Sequence, residues 1–511
     1  MAEHNKHTDH AEAHFREKHL MLDPLPRGQM NEMVMESMHT TSWKFWVVFA
    51  GLSVVVAYGL FYSWGVMIAE GLGVAGVNRP SYWGIFLVNT VFWIGISHAG
   101  TFISAILRVF KAEFRRPFTR AAELMTTFGL IQAGFSILMH MGRVWLSYWL
   151  MPYPNQRMLW PNLHSPLTWD LLAITTYLLS STMYLFLPLI PDVAMARDRS
   201  SGWRKTFYKI LALGFRGTEG EWTHLRNAMN IFAFAIIPVM FSVHTIVSWD
   251  FAAATRPGWN STIFGPYFVV GALHSGMGAV VMVLVVVRGT MKNMKYFIRP
   301  EHFEAIGRLM LIISMTWAYF FFNDYMVQWY GGDKWTKQLL HFHEAGPMGW
   351  MWFVMLIFNV AIPWAVLWNA RWRATPWIVF SVGLLINVGM WFERYIIIPV
   401  SLSINRMPFT WRLYQPGIEI PLGIGTLAFF ILLYMSSMMV AQFKAGGLIM
   451  KIAWPSTGVL ARSKDHAPFQ LSAQAVESLR ADGVPADVIR KLEPLGGEGF
   501  QTAAELSERL E

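Results

Sequence analysis

The chain has 511 residues, of which 54% are hydrophobic and 14% are charged. Soluble domains carry about 25% charged residues, so this composition excludes an ordinary water-soluble globule. The absence of cysteine excludes disulfides, thiolate metal sites, iron–sulfur ligation and covalent c-type haem on this chain. The formal net charge of +9 fits either nucleic-acid binding or the basic loops of a membrane protein, and the placement of the charges distinguishes the two.

Apolar stretches of about 20 residues, the length that crosses a bilayer as a helix, follow one another along the chain. They predict ten transmembrane helices, spans one to ten, near residues 44–68, 83–109, 120–149, 167–190, 227–250, 264–288, 304–330, 347–369, 376–400 and 417–442. We therefore expect an all-α polytopic membrane domain over 44–442, with an N-terminal segment over 1–43 and a tail over 443–511. The histidines of the N-terminal segment are interpreted as part of a solvated tail, not as a metal site.

Basic residues concentrate in every second loop, within 108–120, 197–216, 288–299 and 371–373. By the positive-inside rule these loops and both termini are cytoplasmic, and the loops after the odd-numbered spans face outward. The topology accounts for the surplus of positive charge, so nucleic-acid binding is not expected.

The two halves of the chain resemble one another. Glu123 and Glu304 open spans three and seven, and the motifs PLTW at 166–169 and PMGW at 347–350 open spans four and eight at the same offset. Spans two to five (about 83–250) are therefore predicted to repeat as spans six to nine (about 264–400). A repeat of four helices keeps its orientation, which gives two parallel four-helix bundles flanked by spans one and ten.

Polar side chains recur on one face of span three. Gln132, Ser136, His140, Arg143 and Ser147 follow at helical spacing, which predicts a buried polar stripe. Asp170 begins span four at a similar depth, in the outer half of the membrane. An ionisable group there faces protein, water or a functional site. Asp170 and His140 are candidate proton acceptors for the oxidation of a two-proton carrier, and a structural ion pair between Asp170 and Arg143 is the open alternative.

Other ionisable residues lie within the predicted spans. His98 and His274 at one depth, and His140 and His244 at another, invite a haem interpretation, but each lies on a different span, so no haem is expected. Asp250 and Arg394 are candidate ligand-binding residues from their depth and charge. Candidate proton-path residues run inward from both cytoplasmic ends and comprise Glu123, Gln132, Ser136, Glu304, Tyr319, Asn323, Asp324 and Glu393. A first-turn Glu that favours its helix dipole is the simpler interpretation of Glu123 and Glu304.

Several separated motifs resemble the NrfD (polysulfide-reductase membrane subunit) family. They are NTVFWIGISHAGTFISAILRVF, RRPFTRAAE, ILMHMGRVW and HSPLTWD, all within 83–192. Within the family, SVHTIVSWDFA followed by PGWNSTIFGPYFVVGALHSG at 242–276 is similar to the ActC branch found in alternative complex III. The resemblance covers roughly residues 40–445, and the termini lie outside it.

The resemblance implies a quinol-oxidising subunit without haem or iron–sulfur cluster of its own, in a respiratory or photosynthetic complex of the bacterial plasma (inner) membrane. Menaquinol would bind near the outer face and pass electrons to an iron–sulfur (3Fe-4S/4Fe-4S) partner, then to multihaem and monohaem c-type cytochromes. A second NrfD-like membrane subunit and lipid are the further partners, and proton translocation is proposed for such complexes. His140 and Asp170 match the positions that the resemblance offers for the quinol site; His98, Arg143, Asp250 and Arg394 are added from depth and charge.

Three alternatives stay open at this point. The chain could be the quinone-reactive anchor of another molybdenum or iron–sulfur oxidoreductase, since related family members reduce a quinone. Parallel repeats with polar stripes also occur in secondary transporters, although matching broken helices are not evident in the two halves. A structural anchor for peripheral redox subunits is the third alternative.

Overall fold

The computed structural model describes residues 43–151, 166–198, 200–291 and 294–442. Over these ranges the chain is almost entirely helical, and its extended pairing is limited to an isolated bridge between Asn78 and Ser81. The N-terminal segment to residue 42 and the tail from residue 443 lie outside the described residues.

Ten helices in the described ranges are long and apolar enough to cross a membrane, which confirms the predicted number of spans. They run over Trp43–Glu70, Ile85–Val109, Pro117–His140, Thr168–Leu189, Glu219–Ala252, Phe264–Thr290, Pro300–Gly331, Gly349–Leu367, Pro376–Val400 and Glu419–Ser437. Shorter helices over Ile190–Asp198, Trp203–Leu211 and Lys334–Ala345 lie between them. The chain is a multi-pass helical membrane protein.

The end of span three differs from the prediction. The α-helix stops at His140, and residues Val144–Leu150 form a 3-10 helix. Gly142 adopts a φ of +67°, a left-handed conformation that favours glycine and commonly ends helices. The predicted stripe is therefore wrong beyond His140, because Arg143 lies past the helix end and is exposed.

Spans two and six are the most deeply buried helices of the described chain, and they cross at small residues. A Cβ atom added to Gly276 would lie 2.3 Å from the Cβ of Ala99, so only glycine allows the two backbones to approach this closely. Small residues at such crossings are typical of membrane helix packing. This contact joins spans two and six near the middle of both helices.

Side-chain hydrogen bonds connect spans two to five with one another. Thr101 of span two bonds the Tyr177 hydroxyl of span four at 2.7 Å, and the Thr126 hydroxyl of span three donates to the carbonyl of Ser97 at 2.9 Å. On the other side, the Ser314 hydroxyl of span seven donates to the Asn359 carbonyl of span eight at 2.6 Å. The division into two bundles related by a repeat stays a prediction.

Spans one and ten form a separate layer. Val56 and Leu60 of span one share a buried apolar cluster with Leu422 and Ala428 of span ten. The same cluster includes Met139, the neighbour of His140. The flanking layer therefore supports the end of span three at His140.

Candidate functional site

Asp170 and Asp250 meet at the ends of spans four and five that the predicted topology places on the outer side. Asp170 lies one turn inside its helix, Asp250 lies two residues before the end of its own, and their carboxyl groups form a side-chain hydrogen bond. A hydrogen bond between two carboxyl groups requires that one of them carries a proton. Two acids in buried contact therefore hold one proton between them, since both cannot ionise together at low cost.

The residues immediately before the acids also meet. The indole rings of Trp169 and Trp249 contact edge to face, with centroids 6.1 Å apart. Two successive residues of span four thus contact two successive residues of span five. These contacts fix the relative register of the two spans at the acid pair. Aromatic contacts of this kind add to the free energy of packing beyond the area that they bury.

His140 is the last residue of span three. Its ring lies 6.4 Å from the ring of Phe86 at the start of span two. Just before that start, Trp83 contacts Phe251, the residue that follows Asp250, with centroids 5.9 Å apart. The outer end of span two thus lies against both the end of span three and the end of span five.

Three buried polar atoms at these helix ends have no hydrogen-bond partner within the described chain: Oδ1 of Asp170, Oδ1 of Asp250 and Nδ1 of His140. Leaving such an atom unpaired costs free energy comparable to a lost hydrogen bond. Buried polar groups are normally paired, so exceptions of this kind point to a ligand, an ion or water. The acid pair offers two unpartnered carboxyl oxygens, and the end of span three offers one imidazole nitrogen, to a molecule that donates hydroxyl hydrogens.

Arg143 takes no part in this arrangement. Both Arg143 and Asp170 are described, and the structure shows no ion pair between them. In place of the ion pair that is the open alternative, Asp170 contacts Asp250. No pattern in the sequence indicates this pairing directly, because the two acids lie 80 residues apart (250 − 170) on different spans.

His98 and His244 form a second, central group. Their rings lie 4.7 Å apart, and His98 also contacts Tyr177 at 4.8 Å. Both ring nitrogens of His98 lie within hydrogen-bond distance of backbone carbonyls, of Ile94 at 2.6 Å and of Met240 at 2.9 Å. Both nitrogens lie against carbonyls, so His98 as placed has no free nitrogen to offer a haem iron.

Arg394 and Glu393 lie on the other side of the central crossing. They form an ion pair with each other, and the Trp317 indole donates to Glu393 at 3.0 Å. Trp317 in turn stacks on His274, with centroids 6.1 Å apart. No hydrogen bond, ion pair or ring contact among the described residues joins Arg394 to the acid pair. The structure therefore does not bring Arg394 or His98 together with His140 and Asp170.

The two glutamates at the predicted cytoplasmic ends of spans three and seven are paired. Glu123 binds Arg120 at 3.3 Å, and Arg120 donates to the Pro188 carbonyl at the end of span four. Glu304 binds Arg373 at 2.8 Å, and Arg373 donates to the carbonyls that end span eight. Each half thus uses a guanidinium to join a glutamate to a helix end. The first-turn interpretation of these acids is wrong, because the helices begin at Arg116 and Pro300 and neither Glu123 nor Glu304 lies in the first turn.

The predicted path along span seven is not continuous. Tyr319 is 62% exposed on the outside of the helix, and Asn323 only donates back to the Tyr319 carbonyl. Asp324 faces the interior, where its two oxygens accept from Ser261 and Gln328, each at 2.8 Å. Five residues along a helix turn a side chain by about 140°, which separates Tyr319 from Asp324. On span three, by contrast, Gln132 and Ser136 are fully buried as expected.

Glu419, a buried acid at the outer end of span ten, is absent from the predicted site residues. Its carboxylate accepts from the amides of Gly76 at 2.8 Å and Gly417 at 2.7 Å, and from the Tyr414 hydroxyl at 2.8 Å. Burial, with Glu419 beside it, raises the pKa of the Tyr414 phenol above its usual range. The motif YQPGIE at 414–419, an acid just after a Pro-Gly turn, is the signal that could have found it.

The acid in this network holds a loop that reaches the end of span three. Gly76 and Leu72 belong to the same loop, and Leu72 lies against Gly142, where an added Cβ would be 2.6 Å from the Leu72 Cγ. Glu419 thus positions the chain that covers the turn after His140. Among the residues that the structure describes, no three His, Asp or Glu side chains converge as a metal site would require.

The fold and the candidate site together define a multi-pass membrane protein. At one end of spans two to five it has an imidazole and a pair of acids, each acid with one oxygen that has no partner in the described chain. The family model of polysulphide reductase, NrfD, matches residues 73–405. The chain belongs to this family.

Curated relatives match at low identity. A putative membrane subunit of dimethyl sulfoxide reductase from Halobacterium salinarum is 26% identical over 47% of this chain, and the match spans 51% of that relative's length. The Hdr-like menaquinol oxidoreductase integral membrane subunit of Archaeoglobus fulgidus is 22% identical, covering 76% of this chain and 85% of its own. The menaquinone reductase integral membrane subunit of Nitratidesulfovibrio vulgaris is 23% identical, covering 73% and 85%.

Proposed function

We propose that the chain is the quinol-oxidising membrane subunit of an electron-transfer complex, with its reaction site at the outer ends of spans two to five. The observation that carries this proposal is the set of unpartnered buried atoms on Asp170, Asp250 and His140. A hydroquinone carries two hydroxyl groups, and each can donate to one of these acceptors. Of the named relatives, one is a menaquinol oxidoreductase subunit and one a menaquinone reductase subunit, which supports a quinone as substrate.

Oxidation of a quinol releases two electrons and two protons. In the proposed reaction, one hydroxyl donates to Asp170 and its proton passes to the acid pair, while the second proton passes to His140. General-base catalysis of this kind contributes about 10²- to 10⁴-fold in rate. Because this chain has no cysteine, we assign the two electrons to an iron–sulfur partner subunit docked at the outer face.

The likeness of residues 242–276 to ActC directs the proposal to alternative complex III. In that assignment menaquinol is the electron donor, c-type cytochrome subunits receive the electrons after the iron–sulfur partner, and a second NrfD-like subunit shares the membrane. The location proposed is the plasma membrane of a bacterium, with both termini in the cytoplasm. The anchor of a quinone-reducing oxidoreductase is the second candidate, and the subunits that copurify with the chain distinguish the two.

Proton translocation forms part of the same proposal. The rings of His98 and His244 are in contact near the centre of the molecule. Arg394 and Glu393 continue this line of ionisable groups beyond the crossing of spans two and six. The variant His244→Phe should lower proton release per quinol oxidised in proteoliposomes while quinol oxidation continues.

The test of the proposed reaction uses the native complex with Asp170→Asn and His140→Phe. Both variants should assemble and lose at least about 100-fold in menaquinol oxidation, the lower end of general-base contributions. Asp324→Asn, a buried acid of the other half, is the matched control and should keep near-normal turnover. Near-normal turnover of both site variants would contradict the assignment. If the variants lose assembly while turnover per assembled complex stays unchanged, the chain is a structural anchor. If the purified chain alone carries a substrate flux across vesicles, it is a transporter.

A further inference from the structure

The helix Trp203–Leu211 lies between spans four and five and does not cross the membrane. One side of it packs on the protein: Tyr208 and Ala212 share a buried apolar cluster with Ile190 and Leu225, at the adjoining ends of the two spans. The helix is therefore fixed where these spans leave the membrane, on the side of the basic loops.

A second apolar face of this helix has no partner in the described chain. Trp203, Phe207 and Ile210 follow at i, i+4 and i+7, which places them on one face, and they are 74%, 46% and 68% exposed. Leu213, just after the helix, is 70% exposed and has a φ of +49°. A branched residue rarely adopts this left-handed conformation, and here it leaves the Leu213 side chain exposed beside the same face.

Basic side chains occupy the remaining side. Lys205 and Lys209 are one turn apart and exposed, and Arg216 follows on the exposed loop. Within the helix and this loop, residues 203–216 contain no acid. A helix with an apolar face, rich in large aromatic and aliphatic residues, and a lysine-rich polar face is the pattern of helices that lie in the interface of a membrane.

We propose that the helix Trp203–Leu211 is an interfacial lipid-binding element that takes up anionic phospholipid. Trp203, Phe207 and Ile210 enter the boundary between headgroups and acyl chains, and Lys205 and Lys209 bind the phosphate-bearing headgroups. The position between two membrane-spanning helices selects lipid as the occupant, because the anchored ends hold the helix at the membrane surface. The positive charge selects anionic over zwitterionic headgroups.

The test uses the absence of native cysteine, which makes any introduced thiol unique in the chain. The full chain with Ile210→Cys, labelled with bimane, is reconstituted into phosphatidylcholine vesicles with and without phosphatidylglycerol. Lys205→Cys is the matched control on the opposite side, and Phe207→Cys repeats the measurement one turn earlier. Labels at Ile210 and Phe207 should be quenched by brominated acyl chains and shielded from iodide, and the label at Lys205 should show the reverse.

The headgroup preference is tested in the same samples. Brominated phosphatidylglycerol should quench the Ile210 label more than brominated phosphatidylcholine does, because a lysine near an anionic surface contributes about a fivefold change in affinity. The double variant Lys205→Gln/Lys209→Gln should remove this difference. Lipid immersion would be overturned if iodide quenched the Ile210 label as strongly as the Lys205 label. It would also be overturned if the Ile210 label were shielded from both quenchers, because this indicates a protein cover. Equal quenching by the two brominated lipids in the unmodified helix would overturn the anionic preference.

Discussion

The predicted outer ends of the two halves contain buried acids in opposite states of pairing. In the half formed by spans two to five, Asp170 and Asp250 contact each other and each leaves one oxygen without a partner in the described chain. In the half formed by spans six to nine, Asp324 is as deeply buried as Asp250, but each of its oxygens accepts a hydrogen bond, from Ser261 or Gln328.

The same contrast extends to the histidines. His140 has an unpartnered Nδ1, whereas both nitrogens of His343, on the helix Lys334–Ala345, have partners in Tyr325 and Ser401. A cavity of about 30 Å³ beside Asp324 and His343 has room for one or two water molecules and none for a quinone ring. Burial of an acid therefore does not by itself mark the proposed reaction site, which rests in addition on the unpartnered oxygens of Asp170 and Asp250.

The largest effect is expected at the acid pair. Asp250→Asn removes one of the two carboxyl groups that hold the shared proton, and menaquinol oxidation by the complex should fall by about 10²-fold or more. Steady-state turnover with a soluble menaquinol analogue measures this. Asp324→Asn is the control, and turnover above half of normal in Asp250→Asn would remove the contrast between the two halves.

Stability should show the opposite order. Asp324→Ala leaves the donors of Ser261 and Gln328 unpaired and should lower the free energy of unfolding by about 1–3 kcal/mol. Asp170→Ala removes the acid neighbour of Asp250. It should lower the free energy of unfolding by less than Asp324→Ala does. Thermal unfolding of both variants in detergent compares them. A greater loss of stability in Asp170→Ala would show that the acid pair is structural.

The third prediction concerns pH. Burial lowers the pKa of His343 to about 3, below its value of about 6.5 in an unfolded chain. The unfolded state then binds more protons between these values, so the contribution of His343 to stability is complete above about pH 6.5 and falls as pH falls, by about 2 kcal/mol at pH 5. His343→Gln keeps a hydrogen bond to Ser401 but cannot titrate, so the difference in Tm between wild type and variant should shift in favour of the variant on acidification. A difference independent of pH would contradict the buried, neutral state of His343.

The smallest effect is expected at the support of span three. Tyr414→Phe removes one of the three hydrogen bonds that Glu419 accepts and should lower stability by about 1 kcal/mol. Because the Glu419 network holds the loop that contains Leu72 against Gly142, the KM for quinol should rise while kcat changes little. An unchanged KM with reduced stability would limit this network to a structural role.

The sequence predicts the membrane spans well because hydrocarbon thickness and apolar length impose a strong constraint. The bounds of most spans lie within a few residues of the predicted ones, and span nine coincides with Pro376–Val400. The end of span three is harder to predict because Val144–Leu150 is as apolar as a helix continuation would be, and hydropathy alone ignores Gly142, whose backbone ends the helix. A glycine near a predicted helix end is the local signal for such a stop.

The site is predictable in its parts and not in its pairing. His140, Asp170 and Asp250 stand out because ionisable groups are costly in a membrane, but depth alone also selects Arg394 and His98, which lie elsewhere. Which acids touch depends on the rotation of spans four and five about their axes, and this is set by packing such as that of Trp169 on Trp249. A sequence pattern predicts the depth of a residue in the membrane and the helical face on which it lies. It does not predict which residues of different spans are in contact.

The most direct test of the quinol site is photolabelling of the assembled complex with an azido-menaquinone analogue, followed by peptide mass spectrometry. The label should appear at the outer ends of spans two to five, on peptides that contain His140, Asp170 or Asp250, and excess menaquinol should remove it. Competable labelling confined to the peptides of Asp324 and His343, with none near the acid pair, would contradict this assignment.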